Sequence, residues 1–160
     1  MSADCCFSNE DYWFRYRAAA IIIKDDKVLL ATNEKEDYYY SIGGGVKLGE
    51  RNEDAVIREV FEETGLEMEI DRLVFIHENF FKGEYTNKGK ICHEVAFYYL
   101  MKYDSLEEMK MESLTEGGWK ESLCWLDIDR FNEYKAHPSF FSEHLSPLPE
   151  NIVHIVNDDL

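Results

Sequence analysis

Apolar residues fall in short runs along this chain, each bounded by charged or turn-forming residues, and the spacing within each run predicts an element. Residues 15–23 are rich in isoleucine and small apolar side chains and predict a strand. Asp25 and Asp26 predict a turn, and residues 27–32 the returning strand of a hairpin. The charged stretch 33–37 predicts a loop, and 38–42 a short strand stopped by Gly43, Gly44 and Gly45. Residues 52–64 have helical spacing, with Gly65 placed to end the helix. Further on, 68–81 predicts one or two strands, 82–90 an exposed turn, and 92–103 a strand. The polar segment 104–120 predicts a loop with a helical turn, and 123–128 a short strand. Residues 129–134 and the segment after Pro138 predict C-terminal helices. Strands, a central helix, more strands and a late helix predict an α/β domain with helices packed on a sheet.

Composition narrows the class. A chain of 160 residues predicts one domain over 1–160, with residues 1–14 as a mixed, polar N-terminal arm. Apolar residues make up 45% and aromatics 14%, enough for a sizeable core. Lys and Arg number 17 against 33 Asp and Glu, a net charge of −16. That balance argues against a nucleic-acid polymer as partner, because phosphate backbones are held by Lys and Arg. It still permits small phosphorylated ligands, since a divalent cation can sit between an acidic protein and a polyphosphate. The longest apolar run, residues 18–23, is six residues, far below the roughly 20 that span a bilayer. No basic-then-apolar leader opens the chain, and Cys5, Cys6, Cys92 and Cys124 show no CxxC spacing. Free thiols in a reducing cytoplasm are the expectation, with no membrane partner.

The chemistry concentrates in residues 43–66, GGGVKLGERNEDAVIREVFEETGL. On the helix, Glu59, Glu62 and Glu63 are spaced i, i+3 and i+4 and share a face; Ile57, Val60 and Phe61, flanked by Val56, form the apolar side. Three carboxylates in one turn repel one another, and Glu62 and Glu63 also crowd the negative end of the helix dipole. Breaking two local rules together is expected where function outweighs stability. A hard cation, Mg²⁺ or Mn²⁺, would resolve the conflict, and the glycine run would let backbone approach a ligand closely. Taken alone, the three glutamates are what a solvated helix face usually carries.

The wider pattern is more specific. Gly44, five residues, Glu50, seven residues, then Arg58-Glu59-Val60-Phe61-Glu62-Glu63-Thr64-Gly65-Leu66 resembles the Nudix box at every specified position. The match covers 23 of 160 residues, and Ile42 stands where many members carry proline. The resemblance implies a Nudix-like α/β/α sandwich with a mixed sheet and the catalytic loop and helix packed beside it. It implies divalent-metal-dependent hydrolysis of a nucleoside diphosphate linked to another moiety, with a small nucleotide as partner and homodimers frequent. It also implies that Glu59, Glu62, Glu63 and the Gly43 carbonyl hold the metal. Arg58 would orient the box glutamates, and Glu50 would orient the cluster or position a second cation. Glu62 or Glu63 would serve as base, with a downstream glutamate as the alternative.

The downstream candidates are Glu94, Glu112, Glu116 and Glu121; Glu116 sits before two glycines in a loop and Glu94 in an apolar strand. For substrate binding, Tyr40 lies just before the glycine run, Gly44 offers close backbone approach, and Arg17 opens the first long strand as a phosphate or base contact; Glu94 is the fourth candidate. Two other readings are a non-catalytic Nudix-fold nucleotide-binding or sensor domain, whose relatives typically lose box glutamates, and a calcium-binding or purely acidic interaction protein. For the second, no EF-hand spacing exists. The glycine run is neither a P-loop nor GxGxxG, since Leu48 occupies the last glycine position.

Overall fold

The computed structural model describes residues 2–104, 108–115 and 117–160. Alternation of small and large apolar residues drives ten residues of the first long strand into a central place. That strand is β2 (Tyr12–Ile21), preceded by a short β1 (Cys6–Ser8). There follow β3 (Ile23–Lys24), β4 (Lys27–Asn33), β5 (Tyr39–Gly45) and helix α1 (Asn52–Thr64). Then come β6 (Ile70–Lys82), β7 (Ile91–Met101), β8 (Glu112–Leu114) and β9 (Lys120–Asp127). A 3₁₀ segment (Ile128–Glu133), β10 (Ala136–His137), a single-turn α2 (Phe141–His144) and β11 (Val153–Asp158) complete the chain. The strands form one mixed sheet in the order β11-β6-β7-β2-β5-β4-β9-β8, with β1 on β2, β3 on β4 and β10 on β5. β2 runs parallel to β7 and β11 parallel to β6, while β2 and β5 are antiparallel.

The period-two pattern of β2 explains the layers. Tyr16, Ala18, Ala20 and Ile22 face one side, where Val56 and Val60 of α1 cover them. Ala19 and Ile21 face the other, against Phe131, Phe140 and Phe141 of the C-terminal segment. The result is the α/β/α layering expected from the sequence. Helix α1 ends at Gly65, whose φ of +79° puts it in the left-handed region and whose N–H donates to the Phe61 carbonyl at 2.8 Å.

Four local expectations are corrected. The first residues are partly ordered into the sheet: β1 pairs with β2, and Asp4 bridges to Lys47. The glycine run does not stop a strand but belongs to it, because Gly43, Gly44 and Gly45 pair with Ala19, Ala18 and Arg17. The segment after Pro138 is one helical turn followed by a strand, β11, whose residues alternate in burial. Phe61 is 51% exposed, and the buried stripe of α1 is Asn52, Ala55, Val56, Val60 and Thr64. That stripe runs beside Glu59 and Glu63, so these two glutamates are tucked towards the sheet and Glu62 points outward. Among the described residues no helix is long and apolar enough to cross a membrane, and all four cysteines are free thiols.

Gly43 shows how tightly strand and strand are fitted. Its φ is +148°, and a Cβ there would lie 2.2 Å from the Ala18 carbonyl oxygen, which is backbone and cannot turn away. Gly43→Ala is expected to cost about 3 kcal/mol or more of folding free energy, measured by urea denaturation. A loss under about 1 kcal/mol would show that β2 and β5 can separate without penalty.

Candidate active site

Arg58 organises the loop and helix around itself. Its Nε donates to Glu50 Oε1 at 2.8 Å and its Nη2 to Glu50 Oε2 at 3.0 Å. Nη2 also reaches the Gly45 carbonyl at 3.1 Å, while Nη1 donates to Glu59 Oε1 at 2.6 Å. The more exposed Glu62 is only grazed, at 3.4 Å. These are charge-assisted bonds, with the planar fork meeting Glu50 in a bidentate pair. Glu50 is further fixed by the Lys47 N–H at 2.9 Å, and the Arg58 bond, ahead of the opposing effect of burial, holds its carboxyl below the usual range.

Glu59 and Glu63 meet the glycine strand directly. A Cβ on Gly44 would lie 2.6 Å from the Glu59 carboxylate, so glycine lets that carboxylate rest against the backbone without shifting. Glu63 Oε2 accepts the Gly43 N–H at 2.9 Å. Burial pushes the Glu59 carboxyl up, and the Arg58 contact does not fully offset it. Burial raises Glu63 further, with Glu121 and then Glu59 adding to it. Glu121, on β9, is itself buried and accepts the Tyr40 hydroxyl at 2.5 Å; Tyr40 in turn accepts from Asn33 Nδ2 at 3.2 Å. Three carboxylates, Glu59, Glu63 and Glu121, thus share a region with few cations.

Two arginines of β2 face the other side of this region. Arg17 is 7% exposed and donates to Ser41 Oγ (2.9 Å), the Ser41 carbonyl (2.7 Å) and the Tyr98 hydroxyl (3.5 Å). Burial pulls its pKa down, but Tyr98, Glu94, Glu63 and Glu59 outweigh that and hold it above its ordinary value. Arg15 pairs with the buried Glu94, with Nε and Nη2 both on Oε2 at 2.8 and 2.5 Å. Burial alone would raise Glu94; Arg15 and Arg17 together keep it below the usual carboxylate range. Arg17, Glu94, Tyr40 and Gly43 line one cavity of about 600 Å³, whose floor also carries His77, held to Asn157 at 2.7 Å.

The expected residues therefore fall into two adjoining groups. Glu50, Arg58, Glu59, Glu63 and the glycine strand form the first, with Glu62 at its outer rim. Arg17, Tyr40 and Glu94 line the cavity, and Gly43 belongs to both. Arg17 is a buried cation that lines the cavity. Glu116 lies outside the described residues, and Glu112 sits on β8 in an exposed pair with Lys120. Glu121 is the downstream glutamate that meets the cluster. The signal for it was alternation along β9, which puts Glu121 on the buried side with Leu123.

Among the described residues no three carboxylate, His or Cys groups converge closely enough to form a finished metal cage. The donor set nevertheless suits a hard cation. Hydrogen bonds occupy one oxygen each of Glu59 and Glu63, and the mutual repulsion of the cluster is what a divalent ion would relieve.

The model of the family described as NUDIX domain matches residues 14–144. Among solved structures, the chain is similar to a MutT NUDIX hydrolase from Burkholderia pseudomallei, with 27% identity and TM-score 0.53, covering 72% of this chain and 84% of that one. It is similar to a MutT protein from Bacillus halodurans (19% identity, TM-score 0.63, 90% of each chain). It is also similar to an ADP-ribose pyrophosphatase from Streptococcus suis (17% identity, TM-score 0.50, 89% of this chain and 98% of that one). The last two likenesses concern the fold alone. None of the curated proteins compared with the chain matches it.

The raised Glu63 pKa has a sign. A carboxyl that binds its proton more tightly when folded adds stability below the ordinary carboxylate range, and that stability is lost as pH rises through the raised value. In metal-free buffer, Glu63→Gln is therefore expected to melt at or above the wild-type temperature, with the difference widening as pH rises above the ordinary carboxylate range. A variant that melts lower than wild type across this range would mean Glu63 is held by attraction, not crowded by repulsion.

Proposed function

The chain belongs to the Nudix family of pyrophosphohydrolases, and on that premise we propose that it hydrolyses a phosphoanhydride bond in a nucleoside diphosphate linked to another moiety, with Mg²⁺ or Mn²⁺ as cofactor. The substrates compatible with this reading are nucleoside triphosphates, dinucleoside polyphosphates, ADP-ribose and nucleotide sugars. The observation that carries it is that Glu59 and Glu63 lie directly on a glycine strand that also walls the cavity, with Glu121 near Glu63.

Glu59, Glu62, Glu63 and the Gly43 carbonyl would hold the metal. When bound, a divalent cation supplies charge to the phosphoryl oxygens and lowers the pKa of water. Arg58 keeps Glu50 and Glu59 in fixed directions, so that little reorganisation is needed when substrate arrives. Glu62 or Glu63 would accept the proton of the attacking water, with a downstream glutamate as the alternative base. Arg17 faces the cavity with a charge that cannot be lost, which places a fixed cation where a phosphate enters. Glu94 and Tyr40 shape the cavity wall, Tyr40 through its bond to Glu121. The compartment that fits free thiols and this chemistry is the cytoplasm.

The test is a phosphate-release screen over canonical and oxidised nucleoside triphosphates, dinucleoside polyphosphates, ADP-ribose and sugar nucleotides, with Mg²⁺, with Mn²⁺ and with chelator. Turnover should require the metal and be fastest at neutral to alkaline pH. Glu63→Gln should lower kcat by about a hundredfold or more with the fold intact by circular dichroism. Unchanged turnover in that variant would remove Glu63 from the metal and proton roles. Saturable nucleotide binding without phosphate release would replace hydrolysis with the binding or sensor reading.

A further inference from the structure

The cavity carries an aromatic group that the proposed hydrolysis leaves unused. At its mouth the loop after β4 meets the 3₁₀ turn Tyr85–Asn87 between β6 and β7. Lys35 Nζ lies over the Tyr85 ring, 5.2 Å from its centre. Tyr85 is 61% exposed yet lines the cavity, and it packs in neither hydrophobic core. Its φ is +52°, a left-handed conformation that a bulky side chain adopts rarely. The other described non-glycine residues with positive φ, Asp25 and Asp26, form the β3–β4 turn, where aspartate is at home. Strain at an exposed aromatic that supports no core points to a binding role.

Tyr38 lines the same mouth. Its ring stands edge-on to His137 at 5.3 Å and to Tyr40 at 6.2 Å, which fixes its orientation. Burial first, then Glu36, Glu84 and Tyr85, pushes its phenol upward, so it is neutral and within electrostatic reach of the Tyr85 loop.

We propose that Tyr85 is a base-stacking residue which, with Tyr38, holds the planar base of a nucleotide at the cavity mouth. The preference it creates is for nucleoside-linked diphosphates over base-free ones. This rests on the nucleotide substrate proposed above. Every nucleobase offers a π face, so such a contact raises affinity without choosing among bases. Lys35 keeps the ring over the mouth before ligand arrives.

The experiment combines kinetics and fluorescence. ATP, GTP and ADP-ribose serve as base-bearing probes, and 5-phosphoribosyl 1-diphosphate as the base-free probe. Tyr85→Ala and Tyr85→Asn should raise KM for the base-bearing probes about tenfold, leave kcat within about twofold, and leave KM for any hydrolysis of the base-free probe unchanged. Tyr85→Phe and Tyr85→Trp should restore KM. Tyr85→Asn, which tolerates the left-handed conformation, should melt no lower than wild type, a result a merely structural tyrosine would not give. The Tyr85→Trp variant should also show nucleotide-dependent quenching beyond that of wild type, and no added quenching with inorganic triphosphate. Wild-type turnover with unchanged KM in Tyr85→Ala overturns the stacking role and leaves the hydrolysis standing. Absence of turnover on every probe defeats the hydrolysis. The Tyr85→Trp signal then still decides, since added quenching by nucleotides upholds the stacking and its absence refutes it.

Discussion

The site depends on a single constraint: strand β5 must press its glycine backbone against helix α1 while carboxylates fill the seam. Arg58 is the group that makes this arrangement hold. Its guanidinium ties Glu50, Glu59 and the Gly45 carbonyl into one fork, so loop, helix and strand share a cation. Such pairs at a partly exposed position add little to stability, because solvent screens them. What they supply is direction. With one oxygen of Glu59 turned to Arg58 and one oxygen of Glu63 turned to the Gly43 N–H, both carboxylates are aimed before any ligand is present.

Charge arithmetic around that fork explains why the cluster is not at rest. Arg58, the buried Arg17 and, beside Glu50, Lys47 stand against Glu50, Glu59, Glu63 and Glu121, with Glu62 outside. Glu50 and Arg58 satisfy each other. Arg17 is bonded to Ser41 and Tyr98 and acts on Glu59 and Glu63 only through space. Burial and like charge therefore win at Glu63, whereas at Glu94 the direct Arg15 bond reverses the outcome. Glu63 and Glu94 move in opposite directions: Glu94 has Arg15 in contact and Arg17 close by, whereas Arg17 reaches Glu63 only through space. The first is arranged to receive positive charge, and the second already has it.

Much of this was legible in the sequence, and the reasons for the rest are physical. The spacing of residues 44–66 identified the family, the helix and the glutamates, because those positions are fixed by one local element. The hairpin at Asp25-Asp26 and the long strands followed from composition and period. What period could not supply was the neighbour of each strand. The parallel pairing of β2 with β7 brings together residues about 80 positions apart, such as Arg15 and Glu94. Glu94 therefore stood out only as a glutamate in an apolar strand, and its Arg15 partner stayed hidden. β11 went unseen because its six residues are short, half-polar and terminal, and its pairing with β6 is wholly non-local. The glycine run misled for the opposite reason: glycines weaken a strand by propensity, but at Gly43 the Ala18 backbone leaves no space for anything larger.

The alternation of β2 then links chemistry to selectivity. Its even positions, Tyr16 to Ile22, bury against α1 and fix the helix that carries the glutamates. Its odd positions, Trp13, Arg15 and Arg17, project into the cavity on the opposite face. A one-residue slip of β2 would exchange the two sets, sending arginines beneath the helix and alanines into the cavity. The Asn52 side chain, which donates to the Arg17 carbonyl at 3.3 Å, ties the first turn of α1 to that same strand. Cluster and cavity are therefore not independent sites on a scaffold. They are the two faces of one strand, and any change that moves its register alters the reacting group and the recognition of the remainder of the substrate together.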